Sequence, residues 1–130
     1  MDASQILILG ASLPASSPGG SAIAGGTQDP YVRVAEIEID PARLEAYKAA
    51  VREEIEASVR VEPGVLALYA VSAKDNPAHV RILEIYADED AYKAHLETPH
   101  FKKYKAATQD MVRHLKLIET IPIMLGAKVK

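Results

Sequence analysis

The sequence contains no cysteine. That removes disulfides, thiolate nucleophiles, Cys-ligated zinc and Cys-ligated iron–sulfur clusters from consideration. Tryptophan is absent as well, and phenylalanine occurs once, at Phe101. No apolar run approaches the ~18 residues of a spanning helix, so no segment reads as membrane-crossing. P-loop, Gly-rich dinucleotide, serine-elbow and kinase signatures are also missing. An excess of positive charge is lacking too. Fifteen Lys and Arg against eighteen Asp and Glu leave a net charge of −3, which excludes a strongly basic nucleic-acid binder. What is present is 48% hydrophobic residues in a chain of 130. That is one ordinary globular domain, not an acidic disordered chain.

The first thirty residues stand apart. They hold five of the seven glycines, three of the eight prolines, and no Lys, Arg or His. Pro14-Ala15-Ser16-Ser17-Pro18-Gly19-Gly20-Ser21 reads as a linker. Ile6–Leu9 is a short apolar run, and Ala22-Ile23-Ala24 fits a small-residue cleavage site. An export signal also wants a basic start, and none is present. The expectation is therefore a flexible extension over 1–30, a domain over 31–125 and a short tail over 126–130. A cytoplasmic protein follows from that, with an exported form the alternative if 1–30 is a signal remnant.

The body alternates between two periodicities. Tyr31–Ile39 is β-branched and aromatic without Gly or Pro, and reads as a strand. Asp40-Pro41 is a cap followed by the residue best suited to a first helical position. Leu44, Tyr47, Val51, Ile55 and Val59 then recur at helical spacing, and Pro63-Gly64 ends the helix. Val65–Ala73 and His79–Ala87 read as strands joined through the turn cluster Lys74–Ala78. Asp88 caps a short helix bearing Ala91, Tyr92 and Leu96. Thr98-Pro99 opens another, with Phe101, Tyr104, Thr108, Met111 and Val112 expected on its inner face. Leu115–Leu125 reads as a last strand, with Pro122 demanding an edge or a bulge.

The order β-α-β-β-α-α-β predicts a ferredoxin-like α+β fold with an antiparallel sheet. Helices can cover one face of such a sheet, and a half-exposed sheet should alternate apolar with polar residues. Val65–Val71 is apolar on both faces, as is the stretch around Ile121, Ile123, Met124 and Leu125. A second copy of the chain is the simplest cover for the open face.

Residues 79–104 hold the chemistry-bearing types. Glu84 is flanked by aliphatics in Val80-Arg81-Ile82-Leu83-Glu84-Ile85-Tyr86, and a buried carboxylate there needs a partner. Period two places Glu84 and Tyr86 with Val80 and Ile82, and Arg81 and His79 on the other face. Glu84 serves either as an ordering ion-pair partner or as a carboxylate that orients a histidine. His95 and His100 bracket a helical break. Imidazole is the natural base near neutral pH. A metal site is not expected, because Pro99 lies between the histidines and their spacing is not i,i+4. His79 and His114 read as surface or structural. Lys102, Lys103 and Lys105 read as a solvated helix face. Tyr69, Tyr86 and Tyr104 are either core aromatics or the walls of an aromatic-binding cavity.

Leu83-Glu84-Ile85-Tyr86, Ala91 and His95-Leu96-Glu97-Thr98-Pro99-His100-Phe101-Lys102-Lys103-Tyr104 together resemble the antibiotic biosynthesis monooxygenase family, its quinol monooxygenase branch most of all. Tyr31–Pro41 and the Pro63-Gly64 strand entry also fit, so the resemblance spans about residues 31–125. It implies a homodimeric α+β barrel joined through the sheet faces. It further implies oxygenation of a quinol, polyphenol or polyketide-type aromatic by O2 without cofactor, metal or flavin. Carried over by position, His100, His95 and Glu84 become the catalytic candidates, with His100 or His95 accepting a proton. Tyr86, Tyr69, Phe101 and Tyr104 become candidate substrate contacts, Tyr86 standing where many relatives have Trp. The missing Trp argues against haem cleavage and against Trp-dependent anthrone oxygenation. Residues 31–130 carry 15 positive and 16 negative charges, since only Asp2 and Asp29 of the charged residues fall in 1–30, and so near-neutral a body suits a small uncharged aromatic. A non-catalytic dimeric ligand-binding or stress-response module is the alternative, as is an isomerase or lyase of an enolisable substrate. No nucleic-acid or membrane partner is expected.

Overall fold

The computed structural model describes residues 29–128. The linker, apolar run and cleavage-like site read in the N-terminal extension lie outside the described residues. Strand β1 (Tyr31–Ile39) leads through a short 3-10 turn, Pro41–Arg43, into helix α1 (Leu44–Val61). The hairpin β2 (Val65–Ala73) and β3 (Asn76–Tyr86) follows, then α2 (Glu89–Leu96), α3 (Pro99–Thr108) and β4 (Val112–Glu119). The strands form one sheet in the order β2-β3-β1-β4, with every neighbour antiparallel. This is the expected α+β ferredoxin-like arrangement. No helix among the described residues is long and apolar enough to cross a membrane.

Local chemistry sets the helix starts. Asp40 Oδ1 accepts from Ala42 N at 3.0 Å and, from β4, Arg113 Nη2 at 3.2 Å. Asp88 Oδ1 takes Ala91 N at 2.8 Å, and Thr98 Oγ1 takes Phe101 N at 3.2 Å. Each oxygen satisfies an amide that has no partner inside its own helix. The break between α2 and α3 is thus written into Thr98-Pro99, and it puts His95 in the last turn of one helix and His100 in the first turn of the next.

Three expectations are corrected. The buried face of α1 runs Tyr47, Val51, Glu54 and Ser58, while Val59 is 51% exposed. Steps of four, three and four residues stay on one face, and Val59 lies a further 100° round. The helix α3 stops at Thr108, so Met111 is buried beyond it and Val112 begins β4. Most visibly, the last strand is Val112–Glu119 and not Leu115–Leu125. Its ladder with β1 pairs Ile39 with Val112 and Arg33 with Glu119. Since β1 starts at Tyr31, the partner backbone runs out there, and Thr120 makes the final contacts through Val32 O. Pro122 therefore lies outside the sheet. Ile121, Ile123 and Met124 are exposed beyond it.

The helices lie on one face of the sheet and build two cores. Ala35, Ile37, Ile39, Tyr47, Val51, Val80, Ile82, Met111 and Leu115 form one; Val65, Leu68, Tyr86 and Tyr92 form the other. Ile55 packs against both. Fully burying one such aliphatic side chain contributes about 1.5–3 kcal/mol. The other face is open along β2 and across the middle of the sheet, while Val32 and Ile85 at one end of it are buried. Tyr69, Leu83, Val34 and Ile118 are in register across all four strands there, and the neighbouring row carries Arg81, Glu36 and Lys116. Arg81 Nε and Glu36 Oε2 are 3.6 Å apart.

The entry to β2 is tight. A methyl group at Gly64 would meet Ala91 Cβ of α2 at 2.6 Å. Gly64→Ala should therefore lower unfolding free energy in urea by about 1–3 kcal/mol, the usual cost of overpacking. Adding Ala91→Gly should restore most of that loss.

Candidate active site

The site lies where the two cores meet, between the sheet and the helical layer. Arg33 of β1 and Glu84 and Tyr86 of β3 form its sheet wall; Glu54, Tyr92, His95, Phe101 and Tyr104 close it from the helices. Phe101 and His95 rings are 5.1 Å apart, and Tyr86 and His95 rings 5.5 Å. The cavity is thus aromatic on several sides with a few polar groups aimed inward, the usual make-up of a small-molecule site.

Its most unusual part is a cluster of two histidines and two carboxylates. His95 Nδ1 is 2.9 Å from Glu62 Oε2, and His95 Nε2 is 3.3 Å from Glu54 Oε2. His100 Nε2 reaches the same Glu62 oxygen at 2.5 Å. Ser58 Oγ also lies 2.8 Å from Glu54 Oε2 and from Glu54 O. The cluster is largely enclosed: His95 is 3% exposed and Glu54 6%.

Proton counting shows what it can do. A neutral imidazole carries one N–H and can donate to one carboxylate, not two. If Nδ1–H points at Glu62, the Nε2–Glu54 contact holds a proton only when the pair carries one more. That contact, in the cavity wall, is an acceptor of one proton. Burial pushes the Glu54 carboxyl above its ordinary range, against the pull of His95. Glu54, His95 and His100 also offer ligand atoms within 4.8 Å of one another. They are the trio among the described residues that could hold a metal ion, with Glu62 as the outer carboxylate on His95.

Of the two roles open to Glu84, the structure gives it a hydrogen bond to a tyrosine and none to a histidine. Its Oε1 accepts Tyr86 Oη–H at 2.8 Å, and Glu62 and Glu54 take the histidine. Burial raises the Glu84 carboxyl and lifts the Tyr86 hydroxyl well above its ordinary range. Tyr92 is pushed up to about 12, again chiefly by burial. Tyr104 is raised likewise, with Tyr47 Oη 2.8 Å from its own hydroxyl. At neutral pH these tyrosines are hydroxyl donors and ring walls, not bases.

Of the residues singled out in the sequence, His95, Glu84, Tyr86, Phe101 and Tyr104 line the cavity. His100 stands behind Glu62, on an outer groove between α1 and α3 that Glu54 and Tyr104 also line. Tyr69 stands apart: it is 57% exposed, opposite Leu83 on the open sheet face. Period two carries it to the side away from the helices. Arg33, Glu54, Glu62 and Tyr92 were missed. A signal existed for two of them. Glu54 and Ser58 interrupt the apolar stripe of α1, and Arg33 takes an inward position between Tyr31 and Ala35. Nothing local marks Glu62, which caps α1.

Residues 30–107 match the sequence profile of the antibiotic biosynthesis monooxygenase family. A crystal structure from Bacteroides thetaiotaomicron, provisionally named an antibiotic biosynthesis monooxygenase, is 59% identical with a TM-score of 0.76, over 81% of this chain and 100% of that one. A protein from Lactobacillus acidophilus, provisionally named a monooxygenase, is 30% identical with a TM-score of 0.70, over 71% of this chain and 44% of the other. A third, from Nitrosomonas europaea and provisionally named as the first, is 25% identical with a TM-score of 0.69, over 72% and 90%. No curated protein matches the chain.

The raised Glu84 carboxyl sets a pH dependence. The folded chain holds a proton that the unfolded chain has released. Stability is therefore full below the ordinary carboxylate range and falls as pH rises through the folded-state value, by at most about 1.4 kcal/mol per pH unit. Glu84→Gln keeps an acceptor for Tyr86 and cannot ionise. Urea unfolding at about pH 5 and about pH 8 should show a smaller loss in the variant than in the parent; equal losses would remove Glu84 as the cause.

Proposed function

The chain belongs to the antibiotic biosynthesis monooxygenase family, and on that premise we propose that it oxygenates a small quinol, polyphenol or polyketide-type aromatic with O2 and no cofactor. The observation that carries this reading is the His95–Glu54 contact, an acceptor for one proton set in an aromatic-walled cavity. Deprotonation makes a quinol electron-rich enough to pass electrons to oxygen. One oxygen atom enters the ring and the other leaves as water, while the substrate supplies all four electrons and becomes a hydroxyquinone. The protein's work is to take the proton, hold the ring and exclude water.

His95 is the group that takes the proton. Glu62 fixes its ring by accepting from Nδ1, and Glu54 holds the charge that results. His100 positions Glu62 from behind and opens toward the outer groove. Tyr86, Phe101 and Tyr104 confine the substrate ring. Glu84 keeps the Tyr86 hydroxyl turned to its own carboxylate.

We also read the protein as a homodimer through the open sheet face. The row Tyr69, Leu83, Val34 and Ile118 on that face is apolar, and it adjoins Ala67 and the already buried Ile85 and Val32. Leu66, Tyr69 and Val71 are each more than half exposed, and a contiguous patch of this kind is normally covered. Tyr69 is then an interface residue.

Two measurements test these statements. Oxygen uptake by metal-stripped protein with a hydroquinone panel should be clear, and His95→Ala should lower it about 100-fold or more, the scale of a lost general base. Undiminished turnover in both folded His95→Ala and His100→Ala proteins would sink the assignment; turnover without oxygen uptake would point to an isomerase or lyase. Binding without turnover would leave a ligand-binding module. Separately, light scattering after size exclusion should find a dimer, and Leu83→Glu a monomer.

A further inference from the structure

Two cations line the cavity, Arg33 and Lys105; Lys105 is half-buried, whereas Arg33 is fully enclosed and lacks a tight counter-ion. It is 1% exposed and carries a guanidinium that stays protonated at any working pH. Its contacts are weak for a buried cation. Nη1 donates to Tyr31 Oη at 3.2 Å. The nearest carboxylate oxygen among the described residues, Glu119 Oε2, is 3.9 Å from Nη1, and it already accepts Tyr31 Oη–H at 2.8 Å. The Tyr92 ring lies under the guanidinium carbon at 4.5 Å. Glu119 is also 47% exposed at its side chain, so water shares its charge.

A buried ion without a tight counter-ion is costly to fold around. The two carboxyls that share the cavity with Arg33 lie beyond ion-pair distance: Glu84 sits opposite it in the β1–β3 ladder and feels its charge, but both are hydrogen-bonded to other groups. Glu84 is hydrogen-bonded to Tyr86, and Glu54 faces His95 and Ser58. Guanidinium, moreover, presents a planar fork of donors that matches a carboxylate or phenolate oxygen. Aromatic faces lie directly beside that fork: Tyr92 against the guanidinium, and Tyr86 with its ring centre 5.2 Å from that of Tyr92.

We infer that the cavity selects an aromatic monoanion, whose carboxylate or phenolate oxygen pairs with Arg33 while its ring lies among Tyr86, Tyr92 and Phe101. This rests on reading the cavity as the substrate site. It replaces the expectation of an uncharged aromatic, which came from the charge of the whole body and not from the charge of the pocket. For a quinol, the same guanidinium holds the oxyanion formed when the proton leaves.

Equilibrium binding tests it without turnover. The probes are 2-naphthoate and its neutral methyl ester for the carboxylate source, and 4-nitrophenol for the phenolate. Wild-type protein should bind naphthoate at least tenfold more tightly than the ester. Bound 4-nitrophenol should show the visible phenolate band at a pH where the free phenol does not. Arg33→Met should abolish the preference and the band. Should that variant fail to fold, Arg33→Lys, which keeps the charge and loses the fork, should cut the preference at least threefold. Equal affinity for acid and ester, or a preference that survives in the folded variants, overturns the inference. A protein that binds the anions yet consumes no oxygen keeps this inference and loses the oxygenase reading. One that oxidises neutral quinols equally well with Arg33→Met does the reverse.

Discussion

Glu62 Oε2 is hydrogen-bonded to His95 on one side and to His100 on the other, and so ties the end of α1 to both helices that flank the Thr98-Pro99 break. One oxygen thereby locks three elements together. With Glu54, it sets the position of His95 from two directions. A buried cluster of this kind adds little net stability, since desolvation offsets most of the Coulombic gain. It is nevertheless costly to break in part, because the remaining member is left buried without a partner. The cluster therefore specifies how the helices sit on the sheet more than it strengthens the fold. The same groups that fix the helical layer also form the polar wall of the cavity, so geometry and chemistry are coupled at this point.

The two faces of the sheet divide the protein's work. On the helical face, Ala35, Ile37, Ile82 and Leu115 belong to the core and also border the cavity. Packed aliphatics on a rigid sheet hold Arg33, Glu84 and Tyr86 in place, which a loop could not do as well. On the open face, an apolar row across four strands stands next to the charged row of Arg81, Glu36 and Lys116. Strand alternation produces both surfaces from one sequence, since neighbours in a strand point opposite ways. That is why Tyr69 and Leu68, adjacent in the chain, end on different sides. Leu68 is buried beside the cavity and Tyr69 is exposed.

Much of this could be read directly. The three capped helix starts at Asp40, Asp88 and Thr98 were legible because a cap is a local hydrogen bond, set by residues within three positions of each other. Strands β1 and β2 were legible through their β-branched and aromatic runs. The end of β4 was not, because a strand lasts only as long as its neighbour offers backbone partners. Val59 misled for a simpler reason: a stripe read for apolar residues passes over Glu54 and Ser58, which occupy the buried face as a bonded polar pair.

The sequence by itself determined the class of fold, the helical break that carries the two histidines, and the supply of His, Glu and Tyr as the available tools in a chain without Cys or Trp. These depend on local periodicity, capping and composition. The tertiary structure alone decided which tools meet. Glu62 lies 33 residues from His95 and 38 from His100, and no local pattern links such positions. It also decided that Arg33 is a buried cation beside Tyr92, because burial and pairing belong to the packed assembly and not to any segment.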